Sequence, residues 1–132
     1  MGTYSGSKAA LEAMSDALRT EVEAHGVDIV LVEPGPVETS FAERANDELD
    51  KLDSSGAYGA VYRFYEDSEV FGGQSPIAVT PESVAKTILE AGVSPDPAAR
   101  YPVGPFGTLA LKTRFLPDSV RDTAFRFLRR VL

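Results

Sequence analysis

The sequence contains no cysteine and only one histidine. The absence of cysteine excludes disulfide bonds, thiolate metal sites and cysteine nucleophiles, and it suits a reducing compartment. A single histidine is too few for a histidine-rich metal centre, so no metal site is expected. No apolar run approaches the roughly 20 residues that span a bilayer, and no basic segment followed by an apolar stretch opens the chain. These absences predict a cytoplasmic protein.

Basic side chains are scarce outside the C-terminal segment. The formal net charge is −7, yet residues 1–111 hold 7 basic and 18 acidic side chains, whereas residues 112–132 hold 6 basic and 2 acidic ones. An acidic surface repels nucleic acid, so no nucleic-acid partner is expected. With 132 residues, 43% of them hydrophobic and 25% charged, the chain has a globular composition and is too short for two full domains.

A long helix is predicted over residues 4–24. One stripe of apolar positions has helical spacing and lies beside a stripe of small residues. The two stripes are Leu11, Met14, Leu18 and Val22, and Ala10, Ala13 and Ala17. His25-Gly26 ends the pattern, because glycine can form a left-handed cap and an imidazole is favourable near the last carbonyls. We therefore assign His25 a structural role.

A buried parallel strand is predicted over residues 27–33, a short apolar run of mostly branched side chains. Pro34-Gly35-Pro36 closes it and forces a loop at its carboxyl end, where open α/β sheets place their ligands. Only one other strand is indicated, a short edge strand at residues 100–103. A strand buried on both faces needs more neighbours than that, so the sequence is expected to be part of a larger α/β domain.

The rest of the chain is predicted to be mainly helical. Thr80-Pro81-Glu82 combines a capping hydroxyl, a first-turn proline and an early acid, which indicates a helix start. That helix is expected to reach about Glu90, with Ala91-Gly92 as its stop. Two further helices are predicted over residues 106–115 and 118–131.

Tyr4 and Lys8 lie four positions apart at the opening of the first helix, so their side chains share a face. Alone, such a pair is equally compatible with inert surface neighbours. Here Tyr4-Ser5-Gly6-Ser7-Lys8 precedes a buried strand and then Pro34-Gly35-Pro36-Val37-Glu38-Thr39. This order resembles the C-terminal half of a short-chain dehydrogenase/reductase, in which a Tyr-x-x-x-Lys pair opens a long helix and the next strand ends in Pro-Gly. The glycine-rich cofactor loop of that family has no counterpart in these residues, and neither has its serine upstream of the tyrosine.

The resemblance implies a fold and an activity. Residues 1–132 would form the C-terminal portion of a doubly wound, Rossmann-type parallel sheet, with residues 38–75 as the substrate lid. The expected activity is an NAD- or NADP-dependent interconversion of a lipophilic alcohol and a carbonyl compound. The first helix would associate with another subunit in a homo-oligomer. Because most of the cofactor site would lie outside these residues, the chain alone is expected to be inactive.

The resemblance also implies roles for individual residues. Tyr4 would be the catalytic general acid/base, and Lys8 would activate it and bind the nicotinamide ribose. A phenol with an ordinary pKa of about 10 is a weak base at pH 7, and a nearby ammonium favours the phenolate that base catalysis requires. Pro34 and Gly35 would let the backbone approach the nicotinamide, and the backbone at Val37 and the hydroxyl of Thr39 would hold its carboxamide.

Several alternatives remain open at this stage. The chain could be a non-catalytic remnant or interaction module of the family, or belong to an epimerase or dehydratase that also uses Tyr-x-x-x-Lys. Thr39 could simply cap a helix. The stripe of Tyr58, Tyr62 and Tyr65 fits a core as well as a ligand contact. The arginine-rich last helix fits packing on its own domain, or docking to a membrane surface or a partner. The stretch from Tyr101 onward is also similar to retinol- or hydroxysteroid-dehydrogenase-like members.

Overall fold

The computed structural model describes residues 2–49, 51, 56–61, 75 and 77–131. Its elements confirm a helix-rich α/β fold with a small parallel sheet. They are α1 (Gly2–Val22), β1 (Leu31–Pro34), α2 (Phe41–Leu49), α3 (Pro81–Val93), β2 (Arg100–Val103), α4 (Gly104–Thr113) and α5 (Asp118–Val131). Among the residues described, no helix has the length and apolar character needed to cross a membrane.

Two predicted helix caps are confirmed, although α1 spans Gly2–Val22 instead of residues 4–24 and α4 spans Gly104–Thr113 instead of residues 106–115. A 3₁₀ turn, Glu23–His25, continues α1, and Gly26 closes it with φ of 67° and an amide that donates to the Glu23 carbonyl at 3.1 Å. At the start of α3, the hydroxyl of Thr80 accepts a hydrogen bond from the amide of Ser83 at 3.3 Å.

The predicted end of α3 near Glu90 is wrong, because the helix continues to Val93. Gly92 keeps a negative φ and does not act as a left-handed cap. Ser94 ends the helix with extended backbone, at φ of −69° and ψ of 132°. The cause is Pro95, whose ring disfavours helical backbone at the residue before it.

The two strands pair in parallel, with Leu31 opposite Arg100 and Pro34 opposite Val103. The strand predicted over residues 27–33 is therefore shorter and begins later, because β2 starts at Arg100 and offers residues 27–30 no partner. The expected burial on both faces is also not found, since Leu31, Val32 and Glu33 are half-buried. Within the described residues β2 is the only strand paired with β1, so the other edge of β1 has no strand beside it there.

The core of the described residues is small and lies where α3 and α4 pack against the two strands. Ala91 and Val103 are its buried apolar side chains, each about 7% exposed. Helix α1 contributes no buried residue. Its apolar positions Leu11 and Met14 are 53% and 69% exposed, so its hydrophobic surface faces away from this core.

Candidate active site

Tyr4 and Lys8 are brought together as the sequence predicts. Both lie in the first two turns of α1, and the Lys8 Nζ atom is 5.4 Å from the centroid of the Tyr4 ring. The Tyr4 side chain is about half exposed, so its hydroxyl is accessible to a ligand. The Phe41 ring at the start of α2 lies beside it, with the ring centroids 5.8 Å apart and the planes tilted by 37°.

The Phe41 contact connects the Tyr4–Lys8 pair to the loop that follows β1. Phe41 comes two positions after Thr39, whose hydroxyl accepts a hydrogen bond from the Phe41 amide and donates one to the Val37 carbonyl, each at 3.4 Å. Both bonds are long, so they hold the hydroxyl weakly. Thr39 therefore does contact the start of a helix, as the alternative interpretation expected. The sequence analysis does not predict the contact of Phe41 with Tyr4. The position of Phe41 directly after Thr39-Ser40 is a signal that could indicate it.

The loop at residues 34–39 is fixed by a short parallel bridge between Val37 and Val79. The Glu38 amide donates to the Val79 carbonyl at 3.0 Å, and the Val79 amide donates to the Pro36 carbonyl at 2.8 Å. The bridge thus uses backbone groups on either side of Val37, as parallel pairing requires, and the amide of Val37 is not one of its donors. The backbone at Val37 was predicted to hold a carboxamide, and its amide is one group that could do so.

Three glycines allow α4 to approach this loop closely. A Cβ atom on Gly107 would lie 2.6 Å from the Glu33 carbonyl oxygen, and one on Gly35 would lie 3.0 Å from the Cβ of Phe106. Gly104 has φ of 77°, and a Cβ there would lie 2.4 Å from a methyl of Val79. Gly35 thus has a packing role in addition to its predicted role beside the nicotinamide, which stays a prediction.

A cluster of ion pairs joins α1 to the sheet, and the sequence analysis did not foresee it. Arg100 on β2 contacts Glu33 on β1, Asp16 on α1 at 2.7 Å, and Glu12 on α1 at 3.4 Å. Burial alone would lower the pKa of Arg100, but its hydrogen bond to Glu33 and the three surrounding carboxylates raise it above the ordinary value. The guanidinium is therefore permanently charged and almost enclosed, with its side chain 16% exposed.

Two further arginines complete the cluster. Arg114, at the end of α4, contacts Glu12 at 2.8 Å and Asp16 at 3.9 Å. Arg19 pairs with Asp16 at 2.8 Å and donates to the Ile29 carbonyl at 2.9 Å. The hydrogen bond from Arg19 lowers the pKa of Asp16, and Arg100 adds to this effect against partial burial, which raises it.

Residues 50, 52–55 and 62–74 of the predicted lid lie outside the described residues. Tyr62 and Tyr65 are among those outside, so the proposed tyrosine stripe stays a prediction; Tyr58 is described and largely exposed. On α5, Val120 and Phe127 are 47% and 68% exposed. Packing of α5 on its own domain and docking of α5 to a membrane surface or a partner therefore both stay predictions.

The residues near Tyr4 suit one end of a nicotinamide nucleotide. Tyr4 supplies a phenol and Lys8 an ammonium group, and both can bind the hydroxyls of a ribose. Val37 supplies a backbone amide that the local bridge does not use, and Thr39 supplies a weakly held hydroxyl. These two groups can bind the oxygen and nitrogen of a carboxamide. Tyr4 and Lys8 would face the ribose and the reacting carbon, and Val37 and Thr39 the carboxamide.

Comparison with known proteins identifies the family of the chain. Residues 1–50 match the family model for short chain dehydrogenases. The chain is 35% identical over 126 residues to an NADPH-dependent 3-dehydrocapnine reductase of Ornithobacterium rhinotracheale, which covers 95% of this chain and 44% of the relative. It is 36% identical over 131 residues to a probable short-chain type dehydrogenase/reductase, VdlC, of Helicobacter pylori, covering 97% of this chain and 46% of the relative.

A human relative is more distant. The chain is 32% identical over 102 residues to 17-beta-hydroxysteroid dehydrogenase type 1, which covers 74% of this chain and 30% of that protein. The chain thus spans less than half the length of these curated relatives. The matches nevertheless cover most of this chain's own length, and the chain belongs to the short-chain dehydrogenase/reductase family.

Proposed function

We propose that the protein is an NAD(P)-dependent oxidoreductase that interconverts a lipophilic alcohol and its carbonyl compound, with Tyr4 as the general acid/base. The observation that carries the proposal is the pairing of Tyr4 with Lys8 at the start of α1, with the Lys8 Nζ atom 5.4 Å from the centroid of the Tyr4 ring. Side chains four positions apart share one face of a helix, so the ammonium and the phenol can meet the same ligand. Tyr4 is also exposed enough to meet a substrate.

The protein residues in this proposal move one proton. In alcohol oxidation the Tyr4 oxygen accepts the hydroxyl proton of the substrate, and in carbonyl reduction the Tyr4 hydroxyl donates a proton to the new alkoxide. The nicotinamide cofactor, when bound, accepts or supplies the hydride. Lys8 orients the ribose through its ammonium hydrogens and places positive charge beside Tyr4. Val37 and Thr39 would hold the carboxamide of the bound cofactor.

An apolar substrate is supported by the surroundings of Tyr4. The Phe41 ring contacts the Tyr4 ring and remains 57% exposed, which gives the site an apolar wall. The name of the human relative refers to a hydroxysteroid, and the name of the Ornithobacterium rhinotracheale relative states that it depends on NADPH. Steroid alcohols and ketones with NADPH or NADP are therefore the first combination to test.

The test compares Tyr4→Phe with the wild type in the protein produced from its complete gene. Turnover with NADP and secondary alcohols should fall by about a hundredfold or more, because general acid/base groups contribute roughly 10²–10⁴ to the rate. Cofactor affinity, measured by NADPH fluorescence, should change by less than about threefold, since one hydroxyl is removed from a large binding surface.

Tyr101→Phe is the matched control. Its hydroxyl accepts a hydrogen bond from the Ala98 amide at 3.0 Å, at the end of the strands opposite Pro34-Gly35. Turnover of this variant should stay close to that of the wild type. Substantial oxidoreductase activity in Tyr4→Phe would refute the assignment. A wild-type protein without oxidoreductase turnover would instead favour an epimerase, a dehydratase or a non-catalytic member of the family.

A further inference from the structure

Arg100 makes contacts with both structural elements that carry the candidate site. Its guanidinium binds Glu12 and Asp16 on α1, the helix that bears Tyr4 and Lys8. The same group binds Glu33, two positions before Gly35 on the chain that leads into the loop at residues 34–39. We infer that Arg100 is a positioning residue that holds the Tyr4 end of α1 in register with this loop. The inference rests on the proposed function.

The need for such a residue follows from the way α1 is attached. No residue of α1 is buried, and the contacts of α1 with the strands and the residues before them that are found in the described part of the chain come from Glu12, Asp16 and Arg19. Within the described residues the ion pairs are therefore the main attachment of α1 to the sheet. A guanidinium shared by three carboxylates resists displacement, because moving it breaks several charge-assisted contacts at once.

The position of the cluster along α1 makes Tyr4 sensitive to it. Glu12 lies one turn after Lys8 and two turns after Tyr4, so Tyr4 is about 12 Å along the helix axis from the attachment. A small tilt of α1 about the cluster moves the Tyr4 hydroxyl relative to Val37 and Thr39. Misplacement of a reacting group by about 1 Å can reduce turnover by roughly 10²-fold.

Arginine suits this role better than lysine. Its planar fork presents five donors in fixed directions, so one side chain can bind carboxylates on two elements at once. A lysine at position 100 would keep the charge but would have one nitrogen for three acids. Arg100→Lys should therefore recover only part of the function lost in Arg100→Gln.

Arg114 provides the matched control. It contacts the same two acids of α1, Glu12 and Asp16, and has no contact with Glu33 among the described residues. Arg114→Gln thus removes one positive charge and two ion pairs from the same cluster while leaving the connection between α1 and β1 intact. If these arginines only stabilised the protein, Arg100→Gln and Arg114→Gln should have similar effects. If Arg100 holds α1 in register with the loop, only Arg100→Gln should disturb that register.

The experiment measures steady-state kinetics of Arg100→Gln, Arg100→Lys and Arg114→Gln in the protein produced from its complete gene. We expect kcat to fall about tenfold or more in Arg100→Gln and less in Arg100→Lys, with KM for the cofactor within about twofold. Arg114→Gln should keep kcat within about twofold. Glu33→Gln, which removes the β1 partner alone, should reproduce the loss and serves if Arg100→Gln fails to fold.

Hydrogen–deuterium exchange gives a readout independent of turnover. Peptides covering α1 and residues 34–39 should exchange faster in Arg100→Gln than in Arg114→Gln. Equal kcat and equal exchange in these two variants would overturn the inference. If Tyr4→Phe retains full activity, the proposed function fails, and the exchange comparison still decides whether Arg100 holds the two elements together. If Tyr4→Phe is inactive and Arg100→Gln has wild-type kcat, the positioning role alone is refuted.

Discussion

Replacement of Gly107 by alanine should destabilise the protein, although alanine is the better helix former. Gly107 is buried in α4, where the helix passes over the end of β1. The new Cβ would lie 2.6 Å from the carbonyl oxygen of Glu33 and 3.3 Å from the amide nitrogen of Gly35. Ordinary contacts begin near 3.4 Å, so α4 or the strand end must move by about 0.8 Å.

The magnitude follows from two opposing contributions. Overpacking of a close contact costs roughly 1–3 kcal/mol, and the upper part of that range applies because both neighbours of the new methyl are backbone atoms that cannot rotate away. Alanine in place of glycine in a helix interior returns about 1 kcal/mol. The free energy of unfolding should therefore fall by about 1–2 kcal/mol. The displacement would also shift the loop at residues 34–39, so cofactor affinity should weaken.

The assay is urea denaturation of the protein produced from its complete gene, followed by circular dichroism, with NADPH titration as a second measurement. Gly92→Ala in α3 is the matched control, because a Cβ there meets nothing within 4 Å. That variant should be more stable than the wild type by up to about 1 kcal/mol. If Gly107→Ala gains stability to the same extent as Gly92→Ala, the close approach of α4 to the strand is refuted.

Two other predictions concern α1. The hydrogen bond from Arg19 holds the pKa of Asp16 below its ordinary value of 3.8, so the stability that this carboxylate contributes is present above about pH 4 and is lost as the pH falls through the lowered value. The urea midpoint should fall less steeply with acidification in Asp16→Asn than in the wild type, and equal slopes would contradict this. The exposed stripe that includes Leu11 and Met14 predicts a dimer or tetramer of the complete protein, and Met14→Glu should weaken it. Light scattering that shows a wild-type monomer at micromolar concentration would oppose the prediction.

The features predicted well from the sequence are those set by neighbouring residues. The left-handed cap at Gly26 and the capping hydroxyl of Thr80 depend on a few positions in a row, and the structure confirms both. The shared face of Tyr4 and Lys8 depends only on helical spacing, and it too is found. The end of α3 was misplaced because Gly92 and Pro95 are competing stop signals, and the steric effect of proline decided the boundary.

Contacts between distant parts of the chain could not be predicted in the same way. Arg100 meets Asp16 across 84 positions, and each residue alone has the composition of an ordinary exposed charge. The bridge between Val37 and Val79 likewise depends on the path of the chain between them. The contact of Arg100 with Asp16 depends on how α1 packs against the strands, and hydrophobic periodicity carries no information about which charges that packing brings together.

The orientation of α1 relates the fold to the site. A surface helix ordinarily directs its apolar stripe toward its own core, but α1 directs Glu12, Asp16 and Arg19 toward the strands and leaves Leu11 and Met14 exposed. Ion pairs are directional and sensitive to distance, so they fix rotation and register of the helix, whereas apolar contact tolerates sliding. The polar side of α1 can therefore set the position of Tyr4, while its apolar side remains available to bury hydrophobic area against another surface. Such a division would let the same helix carry the proposed catalytic group and the predicted interface without either role displacing the other.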